Sequence, residues 1–168
     1  NAGQSTGIIY DGSTGLPIQG AIVELSEHSG SILKPRKTNE FGRYRRILNA
    51  GTYHLSISKE GYLSQNNIIT ANNSGITSTD YYLDPAPIHS IQLELEYTTM
   101  PDEIECLLIN DFSSDSIMLS SANTFLNLFE GNWTLIVNPT GGTPWKKIIY
   151  LDRDISFTIP IDMSTTYL

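Results

Sequence analysis

Gly51-Thr52-Tyr53-His54-Leu55-Ser56-Ile57 alternates without a break after its glycine. Tyr53, Leu55 and Ile57 share one face, and Thr52, His54 and Ser56 share the other. A period of two means a half-buried β-strand, with the apolar set facing a core. The same grammar recurs along the chain. Ile91-Gln92-Leu93-Glu94-Leu95-Glu96 alternates; Trp133, Leu135 and Val137 form a further apolar face, and Ile155, Phe157 and Ile159 another. Turn residues fall between these runs, at Asp11-Gly12-Ser13-Thr14-Gly15, Asn39-Glu40-Phe41-Gly42, Asn72-Asn73-Ser74-Gly75 and Thr140-Gly141-Gly142-Thr143-Pro144. The spacing gives one short helical turn, within residues 120–129. Many short strands with regular turns predict an all-β chain built as a sandwich.

The opening stretch has an echo. Gly131-Asn132-Trp133-Thr134-Leu135-Ile136-Val137 repeats its pattern at an offset of 80 residues. At the same offset Gly61 falls on Gly141 and Ile68-Ile69 on Ile148-Ile149. Upstream, Ala21-Ile22-Val23-Glu24-Leu25 aligns with Glu105-Cys106-Leu107-Leu108-Ile109 at an offset of 84. Two tandem Greek-key β-sandwiches explain the echo. The boundary is expected at Asp84-Pro85-Ala86-Pro87, where two prolines remove backbone donors and stiffen the connection. The expected domains are therefore 1–84 and 85–168.

Composition excludes several classes. With 39% hydrophobic and 17% charged residues among 168, the chain is too apolar to remain disordered. No apolar run approaches the roughly 18–20 residues that cross a bilayer as a helix. Residues 1–84 carry seven acidic and seven basic side chains, whereas 85–168 carry eleven acidic and three basic. The net charge of −8 thus sits in the second half. That balance opposes binding to nucleic acid or anionic lipid. Cys106 is the one cysteine, so no internal disulfide forms; its apolar run reads as a buried, inert thiol. A start at Asn1, with neither Met nor a leader pattern, reads as a piece of a longer protein.

Five ordered segments resemble a known family: Gly7-Ile8-Ile9-Tyr10-Asp11, Thr14-Gly15-Leu16-Pro17-Ile18-Gln19-Gly20-Ala21-Ile22-Val23, Thr38-Asn39-Glu40-Phe41-Gly42-Arg43-Tyr44, Ala50-Gly51-Thr52-Tyr53-His54-Leu55 and Lys59-Glu60-Gly61-Tyr62. Together they are similar to the carboxypeptidase regulatory-like domain, over about residues 5–83. The resemblance implies a transthyretin-like fold, a seven-stranded Greek-key sandwich. It also implies an accessory module in an exported, multidomain parent, periplasmic, on the outer surface or secreted. Such modules follow the catalytic domain in some zinc carboxypeptidases and precede the barrel in some outer-membrane receptors. Residues 88–168 depart from the motifs and read as a divergent sandwich, transthyretin-like or immunoglobulin-like.

Searching for chemistry yields little. His28, His54 and His89 share no short ligand spacing, and a zinc site needs converging histidines and a carboxylate. No catalytic residue, metal ligand or cofactor site is assigned. Transthyretin-like hydrolases end in a Tyr-Arg-Gly-Ser type signature, and Thr166-Tyr167-Leu168 does not match it. Two features point to binding. Lys34, Arg36, Lys37, Arg43, Arg45 and Arg46 flank the Asn39–Gly42 turn. As a hairpin, that turn would set Arg43 and Arg45 on one face of a strand, and Lys34 and Arg36 on one face of its partner. Like charges so crowded call for an acidic neighbour to dock, or serve as an edge that blocks aggregation. Trp145, after Gly141-Gly142-Thr143-Pro144, is a candidate for stacking on a sugar or a partner surface. The acidic groups Asp102/Glu103/Glu105, Asp111/Asp115 and Asp152/Asp154 offer oxygens of the kind calcium takes.

The expected function is a non-catalytic accessory or structural module of an exported bacterial surface protein, acting in spacing, stabilisation or docking of neighbouring domains. The alternatives are a ligand-binding module, for carbohydrate or calcium, of a surface lipoprotein, and a fragment of a zinc carboxypeptidase without its catalytic domain.

Overall fold

The computed structural model describes residues 2–27 and 32–164. His28 and Thr166-Tyr167-Leu168 lie outside the described residues. The chain divides into two compact units, Asn1–Pro85 and Ala86–Leu168.

In the first unit β1 (Gly3–Asp11) pairs with β4 (Arg43–Leu48) on one side. On its other side it takes β7 (Ile76–Ser78) and β8 (Tyr81–Leu83), both parallel to it. These two are one interrupted strand. The break is held by Thr79 N–H donating to Thr6 O, and by Ile8 N–H donating to Asp80 Oδ1. Counted so, the unit has seven strands. The facing sheet runs β3 (Ile32–Lys37), β2 (Ile22–Glu27), β5 (Gly51–Ser58), β6 (Gln65–Ala71). Tyr53, Leu55 and Ile57 turn inward from β5 and meet Ile9, Val23, Leu25, Tyr44, Leu48 and Leu83 in one core.

The second unit repeats this order strand for strand. Its first sheet is β12 (Asn123–Phe129), β9 (Ile88–Glu96), β15 (Ile155–Pro160), with β15 parallel to β9. Its second is β11 (Ser114–Met118), β10 (Ile104–Ile109), β13 (Gly131–Pro139), β14 (Trp145–Leu151). The two units therefore share one sandwich topology. The core gathers Ile91, Leu93, Cys106, Trp133, Leu135, Val137 and Ile159, with the Trp133 indole N–H donating to Phe129 O at 2.8 Å.

Three sequence expectations need correction. Residues 123–129 form a strand rather than a helical turn: β12 pairs along its length with β9, and that ladder outweighs a weak local helical signal. The upstream repeat is offset by 83 residues, not 84. Val23 and Leu25 face Ile57 and Leu55, while Cys106 and Leu108 face Val137 and Leu135. A one-residue slip would turn Cys106 and Leu108 out of the core, so burial fixes the register.

The third concerns the basic segment. β3 and β4 are consecutive but not paired, because β3 joins β2 while β4 joins β1 in the opposite sheet. The Asn39–Gly42 turn is nevertheless tight: Gly42 N–H donates to Asn39 O, and Asn39 Oδ1 accepts from Phe41 and Arg43 N–H. It acts as an arch between layers. Thr38 N–H is tied to Ala21 O in one layer, and Gly42 O accepts from Ile9 N–H in the other. The inward residues Tyr44 and Leu48 then close the core from the far wall, which a side-by-side hairpin could not do.

Candidate functional site

The arch decides where the cations go. β3 and β4 are the edge strands of their two sheets, so Lys34, Arg36, Lys37, Arg43, Arg45 and Arg46 line an open groove of about 420 Å³ along one side of the sandwich. Arg43 and Arg45 are exposed on the outer face of β4. Arg43 lies over the Phe41 ring, 5.8 Å from its centroid, and Arg45 Nε donates to Gln4 Oε1 at 3.1 Å.

Arg46 differs. It sits on the inward side of β4 at 8% exposure, and Nη1 donates to Lys34 O across the gap between the sheets. Burial lowers its pKa, and the Arg36 charge lowers it further. Among the described residues, the six cations have no carboxylate partner; the ion pairs are His89 with Glu130 at 3.2 Å and Arg153 with Asp152 at 4.0 Å. A guanidinium buried beside a second cation is costly unless an anion compensates it.

The other singled-out residues lie elsewhere. Trp145 is half-buried at the start of β14 and packs on the second core, its ring 5.8 Å from Phe157. His54 is exposed on β5. Among the described residues, no group of three or more His, Cys, Asp or Glu converges as metal ligands would. Cys106 is fully buried, and burial raises its thiol to about 11, with the Glu105 charge adding to the effect. The native thiol is therefore expected to resist a thiol reagent at about pH 8 and to react once on unfolding, read by absorbance. Reaction in the native state at the unfolded rate would contradict this burial.

Sequence reasoning missed the lock at the first turn. Asp11 Oδ1 accepts from Ser13 N–H, Ser13 Oγ and Thr14 N–H, and Asp11 Oδ2 accepts from Tyr62 OH at 2.7 Å. The Ser13 hydroxyl, then that of Tyr62, holds the Asp11 carboxyl well below the usual carboxylate range. Its contribution to stability is thus present above the unfolded value of 3.8 and is lost as pH falls through the lower folded value. Tyr62→Phe is expected to move the native Asp11 titration up toward that value, read by carboxyl NMR. An unmoved midpoint would show that Tyr62 does not support Asp11.

The residues that build this turn, arch and groove coincide with a known family. The carboxypeptidase regulatory-like domain matches residues 6–83. Residues 6–83 are a carboxypeptidase regulatory-like domain. This regulatory-like domain supplies all six groove cations. Over 156 residues the chain is 24% identical to Internalin I of Listeria monocytogenes, covering 83% of this chain and 8% of that protein's length. Two solved structures share the fold at low identity. One is a streptococcal ancillary pilin, with TM-score 0.56, 12% identity, 95% of this chain and 62% of that one. The other is a minor pilin of Streptococcus agalactiae, with TM-score 0.54, 14% identity and 98% of each chain. The chain is thus a tandem of β-sandwich modules, one regulatory-like and one of the same strand order.

Proposed function

We propose that these two modules are a non-catalytic structural segment of an exported bacterial surface protein, spacing and stabilising the domains on either side. The observation that carries this reading is the strand order used twice, β4-β1-β7/β8 over β3-β2-β5-β6 and then β12-β9-β15 over β11-β10-β13-β14. Repetition of one sandwich fits a role in which the module itself, rather than a reactive centre, is what is used again. The likeness to the two pilins and to a short part of the much longer Internalin I supports the same placement. Antibodies against the chain should label intact cells of the source organism, and shaving those cells with protease should release its peptides. Labelling that requires permeabilised cells would overturn the reading.

A further inference from the structure

We propose that the groove beside β4 receives an extended acidic peptide segment, added as a strand to the free edge of β4. This inference stands apart from the spacer reading, since it rests on the edge and its charges alone.

The backbone supplies the first argument. β1 uses Gln4, Thr6 and Ile8 toward the β7/β8 side, through Gln4 N–H to Gly75 O, Thr79 N–H to Thr6 O and Ile8 N–H to Asp80. Its odd-numbered residues therefore face β4, as Ile9 N–H bonded to Gly42 O shows. By the alternation of an antiparallel ladder, Arg43, Arg45 and Ile47 direct their N–H and C=O groups to the open edge. Asn39 occupies both groups of Arg43. Arg45 and Ile47 are left to pair with an incoming chain. β3, on the far bank, is closed to such pairing: Pro35 lacks a donor, a register shift lies opposite it in β2, and Lys34 O is held by Arg46.

Charge supplies the second. Alternate side chains of an added strand would face the two sides of the sheet. Those on the inner side meet Arg46 and Arg36 in the mouth of the sandwich, where a buried guanidinium has no carboxylate. Those on the outer side meet Arg43 and Arg45. Guanidinium groups bind carboxylates in paired, directional hydrogen bonds, so carboxylates on both sides fit. The exposed Ile47 favours an apolar residue at one end. A polysaccharide could match the charges, but only a polypeptide can match both the charges and the ladder.

The test uses the full 168-residue chain and a fluorescent ten-residue peptide of Glu pairs separated by single Thr residues, which sets carboxylates on both faces of a strand. Saturable binding at low salt is expected, with the Arg45 and Ile47 amides gaining protection from hydrogen exchange. Arg43→Ser with Arg45→Ser, both exposed and safe for folding, should weaken binding at least tenfold. A peptide N-methylated at two adjacent central residues keeps its charge but loses a ladder donor whichever way it faces, and should also bind at least tenfold more weakly. The proposal is overturned if the peptide does not bind. It is equally overturned if the N-methylated peptide or a sulfated polysaccharide binds as tightly, or if binding leaves both amides unprotected, since each would mean charge attraction without strand addition.

Discussion

Gly7→Ala is expected to destabilise the first unit by about 3 kcal/mol. A Cβ at Gly7 would stand 1.8 Å from Thr79 O and 2.9 Å from Tyr44 Cε1. The first of these is backbone and cannot rotate away. It is also the acceptor for Tyr44 OH at 2.9 Å, at the break between β7 and β8. Yielding to the methyl would strain that bond and the neighbouring Thr79 N–H to Thr6 O bond together. Tyr44 is itself well buried, and burial pushes its hydroxyl up to about 12, so the ring has no cheap exit to water. Hydrogen exchange of the β1 amides under increasing urea would measure the loss. A change below about 0.5 kcal/mol, the scale of ordinary surface substitutions, would mean that the interrupted strand is not packed as described.

Leu135→Ala should cost the second unit a comparable 2–5 kcal/mol or so, through lost burial and the cavity left behind. Leu135 is fully buried at the centre of β13, opposite Leu108 in β10 and between the inward residues Trp133 and Val137. Both tryptophans of the chain, Trp133 and Trp145, lie in this unit, so denaturant unfolding followed by tryptophan fluorescence reads it directly. Leu135→Met, which nearly conserves volume, should cost under about 1.5 kcal/mol. Equal effects from the two substitutions would argue against a tight core at that position.

Much of the fold was legible because alternation reports burial directly. Tyr53, Leu55 and Ile57, then Trp133, Leu135 and Val137, alternate with polar or half-buried neighbours and are the residues that face inward. The repeat was legible for the same reason, since equivalent strands in one sandwich must bury equivalent positions. Its upstream register differs by one residue between the sequence pattern and the structure. Over residues 104–109 both faces carry large apolar residues, Leu107 and Ile109 beside Glu105 on one and Ile104, Cys106 and Leu108 on the other, so alternation marks the inward set weakly; pairing with β13 fixes it. The strand over 123–129 was hidden because its inward residues Thr124, Leu126 and Leu128 are only half-buried and its outward Phe125 and Phe129 blur the period.

The groove shows the same division. Six cations around Asn39–Gly42 are plain in the sequence, as is the turn they flank. That the turn bridges two sheets is not. A local pattern states which way a side chain points relative to its own strand, but not which strand lies beside it. Hence the sequence by itself determined the plainly alternating strands and their buried faces, the turns and the charge beside them, but not the strand over 123–129 or the register of 104–109. Tertiary structure alone decided that β3 and β4 part company, that each becomes an edge, and that Arg46 turns inward beside Arg36. Strand pairing is a choice among distant partners, made by the core that both sheets must close, and that core exists only once the chain has folded.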